Sequence, residues 1–275
     1  MLAHEFIRNA LLAGTFTALA CGLVGYFVVL RAQVFAGDAL SHVAFTGALA
    51  AAAAGVDTRI GLFAGTVLLG VVIAGLGERA RPDDVAIGVV FAWILGLGLF
   101  FLVLYAANGG GNGLLGARAL FGSIFGLSPS DARLAAAIGL GVVATCLLVA
   151  RPLLFSSLDP AIAAARGVPV RALGVLFLAL LGVVAAEATQ AVGALLLLGL
   201  LAAPAGAAMR ITPNPYRALA LSAALAVLAT WAGLALSYAV PTVPPSSAVI
   251  AVAVGGYGLT WLLTVRRPGA ISAAT

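Results

Sequence analysis

The sequence predicts an all-α protein, a polytopic bundle of eight or nine transmembrane helices, and two observations support this prediction. First, the 275 residues are 63% hydrophobic and 8% charged, with a mean hydropathy of +1.19. Soluble domains carry about 25% charged residues, so this inventory cannot build a water-facing surface. Second, a membrane-crossing helix needs about 20 apolar residues, and the length accommodates eight or nine crossings within a single domain, 1–275.

Polar, proline and glycine clusters divide the apolar sequence into the individual spans. The first span begins near Phe6, and we expect it to be retained because no signal-peptide flank or cleavage site accompanies it. Glu187, Thr189 and Gln190 interrupt a stretch too long for one crossing, so we divide that stretch there. The nine predicted spans are 7–30, 34–54, 60–77, 85–107, 132–150, 170–187, 190–208, 217–240 and 247–265.

The basic residues predict the orientation of the chain in the membrane. All 14 are arginines, scattered singly between apolar stretches, which fits loop anchors and excludes a nucleic-acid footprint. Nine spans place the termini on opposite sides, and the positive-inside rule then favours a cytoplasmic C-terminus. The predicted cytoplasmic set is Arg31, Arg79, Arg81, Arg151, Arg166, Arg171, Arg210, Arg217, Arg266 and Arg267, and the external set is Arg8, Arg59, Arg118 and Arg133.

An acid and an imidazole in the second predicted span are the strongest candidates for a functional site. Asp38 and His42 are four residues apart, which places them on one helical face about 5–6 Å from each other. Ionisable groups inside a span are costly and indicate function by default. Carboxylate oxygen and neutral imidazole nitrogen both bind zinc, manganese or ferrous iron. One helix supplies too few ligands for a stable site, but a symmetric dimer would bring four together.

Two structural explanations remain open for these residues. Asp38 and His42 could hydrogen-bond to each other, or could cap a helix near Arg31. Glu187 is a weaker functional candidate, a possible pore-mouth residue that we expect water to solvate at the external end of its span. Because the chain contains no lysine, it has no GxxxxGK phosphate loop, and any ATP-driven step needs a separate ATPase.

Three sequence stretches resemble the metal-cation permease family of ABC importers, which carries zinc, manganese or iron. These are GDALSH from Gly37 to His42, DPxxAxxxGVPV from Asp159 to Val170, and QAVGALLLLGLLAAPAGAAMR from Gln190 to Arg210, in that order along the chain. The resemblance covers nearly the whole chain. The segment APAGA from Ala203 to Ala207 departs from the family pattern, in which an aliphatic residue precedes the proline and a threonine follows it.

The resemblance implies a fold similar to that of the cobalamin and siderophore importer permeases, in a bacterial cytoplasmic membrane. It implies a homodimer with a pore at its two-fold axis, two cytoplasmic ATPase subunits that bind ATP, and an external metal-binding protein. Asp38 and His42 match the family's intramembrane metal pair. The coupling element that contacts the ATPase matches a segment at about 202–214. Its candidate residues are Ala202, Ala203, Pro204, Gly206, Met209, Arg210 and Asn214.

The sequence therefore predicts a transport subunit, not an enzyme, with no permanently bound cofactor. It would import a divalent metal, with zinc favoured over manganese by the general order of metal affinities. Binding should weaken below about pH 6.5, because only the neutral ring of His42 coordinates a metal. Three alternatives stay open: a cobalamin or siderophore importer, a proton-coupled transporter or channel that uses Asp38 and His42, and a structural membrane anchor.

Overall fold

The computed structural model describes residues 4–76, 84–107, 120, 122–194 and 197–265. Those ranges contain ten α-helices and no β-strand, which confirms the all-α prediction. The helices are α1 Glu5–Leu30, α2 Val34–Ala53, α3 Thr58–Leu76, α4 Asp84–Ala107, α5 Pro129–Leu158, α6 Pro160–Ala165, α7 Val170–Ala191, α8 Leu197–Ile211, α9 Pro215–Ala239 and α10 Pro245–Val265. Arg79, Arg81, Arg118, Arg266 and Arg267, used above for the orientation, lie outside the described residues.

Eight of these helices are long and apolar enough to cross a membrane, which confirms a polytopic bundle. The remaining predicted span, 190–208, corresponds to α8, which has 15 residues and is therefore about 22 Å long. That length is shorter than the hydrocarbon core of about 30 Å. Helix α8 nevertheless passes through the bundle, where it packs against α1, α9 and α10.

The break between α7 and α8 comes later than the sequence predicted. Helix α7 continues through Glu187, Thr189 and Gln190 and ends at Ala191. The chain turns at Gly193, whose φ of 95° lies in the left-handed region that glycine adopts without strain. The division of the stretch into two helices is confirmed, but the break lies a few residues beyond the polar cluster, where Gly193 allows the backbone to turn.

Polar residues at the loop junctions explain where several helices begin. Ser128 and Asp131 form a reciprocal capping box at the start of α5, where Pro129 occupies the first turn. The carboxylate of Asp159 accepts a hydrogen bond from the Ile162 amide of α6 at 2.9 Å. Asn214 caps α9 through its side-chain oxygen, which accepts bonds from two backbone amides. These caps satisfy amides that a helix terminus leaves without partners.

Helices α1, α2 and α7 form the interior of the bundle, and α4 and α10 lie at its periphery. The most apolar windows of α1 and α7 are each 72% buried, whereas that of α4 is 11% buried. The outer surface of α4 is nevertheless apolar, with exposed residues such as Trp93 and Leu99. A peripheral helix with apolar residues facing outward is suited to lipid or to another membrane subunit.

Contacts between helix ends define the two faces of the bundle. At one face, Arg59 at the start of α3 pairs with Asp131 at the start of α5, with 2.7 Å between nitrogen and oxygen. At the opposite face, Arg31 after α1 donates to the hydroxyl of Ser157 near the end of α5 at 3.0 Å. The second face also carries the other described arginines of the predicted cytoplasmic set, Arg151, Arg166, Arg171, Arg210 and Arg217. Which face is cytoplasmic stays a prediction.

Candidate metal site

Helix α2 is covered on most sides by its neighbours, but one stripe of its first half remains open. Phe35, Asp38 and His42 are exposed or partly exposed, whereas Ala36, Gly37 and the segment 39–41 are buried. The open positions are three and four residues apart, which is the spacing of one helical face. Asp38 and His42 therefore lie together on the accessible stripe of a helix that is otherwise packed.

Neither side chain makes a hydrogen bond within the residues that the structure describes, although the two lie near enough to interact electrostatically. The Ser41 hydroxyl bonds to the backbone carbonyl of Asp38 at 2.7 Å, which leaves the Asp38 carboxylate uncommitted. No hydrogen bond joins Asp38 to His42, and Asp38 lies inside α2 rather than at a cap. Neither structural explanation considered from the sequence accounts for the pair in this arrangement.

An aromatic contact holds the His42 ring from the neighbouring helix. Phe91 of α4 lies edge-on to the imidazole of His42, with ring centroids 5.1 Å apart and planes at 68°. The same Phe91 ring contacts Phe35 at 5.9 Å. Edge-to-face pairs at this distance are attractive, so Phe91 restricts the orientation of the imidazole. No sequence pattern pointed to Phe91, because one phenylalanine among many apolar residues of a span is not distinctive.

Close packing fixes the position of α2 in the bundle. Gly47 and Gly61 bring α2 and α3 so near that a Cβ on either residue would collide with the carbonyl oxygen of the other. The Thr46 hydroxyl donates to the Ile94 carbonyl of α4 at 3.1 Å. Before the helix begins, the Arg31 guanidinium lies 5.1 Å from the centre of the Phe177 ring of α7. These contacts join α2 to three neighbours and set the direction of its open stripe.

Within the part of the chain that the structure describes, one protomer offers two ligands at this stripe, Asp38 and His42. Among the described residues, no group of three or more His, Cys, Asp or Glu side chains is arranged to hold a metal ion. Structural and catalytic metal sites use at least three protein ligands as a rule. A complete site built on Asp38 and His42 therefore needs ligands beyond these two described residues.

Glu187 lies in the bundle interior rather than in contact with water. It is 6% exposed and occupies the last turn but one of α7. The expectation that water solvates this carboxyl is therefore wrong for the single protomer. The sequence placed it at the end of a span, where exposure is usual, whereas packing of α7 against α1, α2 and α3 encloses it. Its role at a pore mouth stays a prediction.

The candidate coupling segment 202–214 divides into a packed part and an exposed part. Pro204 is buried, and Ala202, Ala203, Gly206 and Met209 are only partly exposed, because the body of α8 packs inside the bundle. The exposed part comprises Arg210, Ile211, Pro213 and Asn214. Asn214 caps α9, and the Arg210 guanidinium lies 5.5 Å from the Tyr257 ring centre. Only this exposed end is available to a partner.

Helix α6 lies at the same face as the exposed end of α8. Its single buried residue, Ala163, anchors it to the bundle, whereas Ala161, Ile162 and Ala164 are exposed. Residues just after α6 and at the start of α9 line one groove, which shows that the two loops are close in space. The loop after α6 and the start of α9 therefore lie side by side at this face.

Comparison with known proteins extends over almost the entire chain. The model of the ABC 3 transport family matches residues 3–262. The chain is 30% identical over 268 residues to the manganese transport system membrane protein MntC of Halalkalibacterium halodurans, covering 97% of this chain and 90% of that protein. It is 29% identical to a probable iron transport system membrane protein of Haemophilus influenzae, covering 86% of each.

A solved structure shares the architecture as well. The structure is described as PsaBC from Streptococcus pneumoniae in complex with Fab, and one of its chains superposes on this chain with a TM-score of 0.81. The two chains are 26% identical, and the match covers 94% of this chain and 91% of the other. The similarity therefore includes the order and packing of the helices as well as local motifs.

Proposed function

We propose, from the premise that the chain belongs to the ABC 3 transport family, that it carries a divalent metal ion across the membrane through a site formed by Asp38 and His42. It is the membrane-spanning permease of a metal ABC importer and a transport component rather than an enzyme. ATP hydrolysis belongs to a separate ATPase subunit, because this chain contains no lysine for a phosphate loop.

The observation that carries the proposal is the accessible, uncommitted pair on α2. Asp38 and His42 lie about 6 and 12 Å along the helix from its first residue, well inside a span of 20 residues. A charged group in such a span is retained for a purpose, since its insertion is costly. Weak binding by two ligands per protomer also suits transport, which requires that the ion leave again.

Two copies of the chain would complete the site. When the open stripes of two α2 helices face each other across a two-fold axis, two carboxylates and two imidazoles meet and form a tetrahedral set. A cysteine introduced at Phe35, which is 40% exposed on this stripe, should form a disulfide across the dimer. Leu148→Cys, on the outward surface of α5, is the matched control and should remain monomeric. Equal cross-linking at both positions would contradict this dimer.

The cargo that we propose is manganese. The preference for zinc was based only on the general order of metal affinities. Relatives of this chain, in contrast, are named for manganese and iron transport. Carboxylate oxygen together with imidazole nitrogen accepts manganese as well as zinc. Competition between the two ions for the purified dimer, measured by elemental analysis, distinguishes them. Transport of zinc but not manganese by the intact complex would overturn the manganese assignment.

Substitution of the two ligands tests the site directly. Asp38→Asn and His42→Gln should each remove most of the bound manganese from the purified dimer, and the double variant should bind none. Asp57→Asn and His4→Gln carry the same chemical changes at exposed positions outside the site and should bind as the wild type does. Unchanged binding in the double variant would refute the site. Transport by the permease in vesicles without an ATPase would instead support the proton-coupled alternative.

Metal binding should also depend on pH. A neutral imidazole coordinates a metal, whereas a protonated ring does not, so binding should weaken as the pH falls into the acidic range. The affinity of the wild-type dimer is measured from about pH 5 to pH 8, with His42→Gln beside it. Loss of the pH dependence in the variant is the expected result. A flat profile in the wild type would argue against His42 as a ligand.

We place the ATPase contact on α6 and the exposed end of α8, with the C-terminus in the cytoplasm. Ile162 and Ile211 are each about half exposed there, which is unusual for isoleucine outside an interface or a lipid contact. Ile162→Glu and Ile211→Glu should abolish co-purification of the ATPase. Val56→Glu, a similarly exposed aliphatic position in the loop at the opposite face, is the control. If only Val56→Glu abolished co-purification of the ATPase, the ATPase would bind the opposite face, and the predicted orientation in the membrane would be reversed.

A further inference from the structure

A groove at the arginine-rich face of the bundle has the properties of a binding site. It lies between the end of α5, the loop after α6 and the start of α9, and its volume is about 550 Å³. Pockets for small ligands typically have volumes of roughly 300–1,000 Å³. Its wall is apolar and includes Phe155 and Leu158, and Arg151, Arg166 and Tyr216 supply its polar groups. The groove is separate from the Asp38 and His42 site.

The depth of the groove matches the headgroup layer of a membrane. Arg133 and Arg151 lie 18 residues apart on α5, which corresponds to about 27 Å along the helix. Since the hydrocarbon core is about 30 Å thick, these two arginines bracket it. The groove begins at Arg151 and continues to Leu158, about 10 Å further along the helix. It therefore lies beside the phosphates of one leaflet.

The charges in the groove are positive, and no acidic residue among those described pairs with them. Arg151 and Arg166 are both exposed, and neither forms an ion pair within the described part of the chain. No aspartate or glutamate is among the lining residues that the structure describes. The nearby Asp159 is engaged in capping α6. An anionic partner would therefore meet two guanidinium groups that no carboxylate of the groove neutralises.

We propose that this groove binds an anionic phospholipid, with the phosphate between Arg151 and Arg166 and an acyl chain along the apolar wall. A guanidinium offers several donors in a plane and binds phosphate oxygens in pairs. Basic pockets between membrane helices at the headgroup level are suited to such lipids. An acidic protein segment would also meet the arginines, but it would leave the apolar wall of α5 uncovered. This proposal does not depend on the metal site.

Lipid binding to the purified full chain tests the proposal. Phosphatidylglycerol is titrated into delipidated protein and counted by native mass spectrometry, with phosphatidylcholine of the same acyl chains as the neutral probe. Each arginine near a membrane surface contributes roughly a fivefold gain in affinity for anionic lipid. The double variant Arg151→Gln, Arg166→Gln should therefore bind phosphatidylglycerol about 25-fold more weakly. Its binding of phosphatidylcholine should not change.

A second double variant controls for total charge. Arg8→Gln with Arg171→Gln removes two exposed arginines that do not line the groove. It should bind phosphatidylglycerol as the wild type does. An equal loss in both double variants, or no loss in the groove variant, would overturn the proposal. Loss of ATPase co-purification with unchanged lipid binding in the groove variant would also overturn it, because the groove would then be a protein contact.

Discussion

Helices α2 and α8 both contain a sequence stretch that resembles a family motif, yet the structure uses the two stretches in different ways. In α2, Asp38 and His42 lie on an open stripe, and their side chains make no hydrogen bond among the described residues. In α8, the small residues of the motif are mostly packed, with Ala205 and Ala208 fully buried against other helices. The comparison shows that a motif of small residues serves helix contact, whereas a polar pair on an open stripe is left accessible for binding.

The largest expected effect separates function from stability in α2. Replacing Asp38 and His42 together by leucine removes both ligands of each protomer, so metal affinity should fall by more than about 100-fold. The same change removes an unpaired charge from a membrane helix, so the thermal midpoint should hold or rise. Metal titration and thermal unfolding of the purified protein measure the two quantities. A large fall in the midpoint would mean that the pair is structural after all.

A substitution in the packed part of α8 should lower stability and leave metal affinity unchanged. Ala205 is 0% exposed, so Ala205→Leu inserts a larger side chain into a packed interior and should cost about 1–3 kcal/mol of the free energy of unfolding. Metal affinity per folded dimer should remain that of the wild type. Ala220→Leu on the exposed surface of α9 is the control and should be neutral. A change in metal affinity without a change in stability would contradict the division between the two helices.

The contact between α2 and α3 allows a smaller test. Gly47→Ala places a Cβ against the Gly61 carbonyl, and the clash should outweigh the helix propensity that alanine adds, leaving a net loss of about 1–2 kcal/mol. Gly96→Ala on α4 meets no neighbour and should stabilise the protein by up to about 1 kcal/mol. Denaturant unfolding measures both variants. Equal stability of the two would show that α2 and α3 separate more easily than the structure indicates.

The smallest expected effect concerns the aromatic support of His42. Phe91→Leu keeps an apolar side chain on α4 but removes the edge-to-face contact, which is worth about 0.5–1.5 kcal/mol. Metal affinity should therefore fall by roughly 2- to 10-fold, with little change in stability. Phe100→Leu, an exposed position on the same helix, should leave the affinity unchanged. A loss in the control equal to that of Phe91→Leu would mean that α4 acts through general packing.

Composition and the spacing of polar residues were sufficient to predict the class of the protein, its approximate spans and the polar pair. The membrane requires apolar side chains along a whole span and a minimum span length. Both requirements can be checked on one stretch of sequence without knowing which helices surround it. For the same reason Asp38 and His42 were evident without coordinates, since a charge in an apolar helix is unusual in any packing.

Only the tertiary structure decided which of these residues are accessible and what surrounds them. The rotation of each helix about its axis decides which side chains face the interior. It determines the burial of Glu187 and Pro204 and the contact between Phe91 and His42. Almost every face of a membrane helix is apolar, so periodicity carries little information about which face points inward. Packing between small residues such as Gly47 and Gly61 sets that rotation, and no single span encodes it.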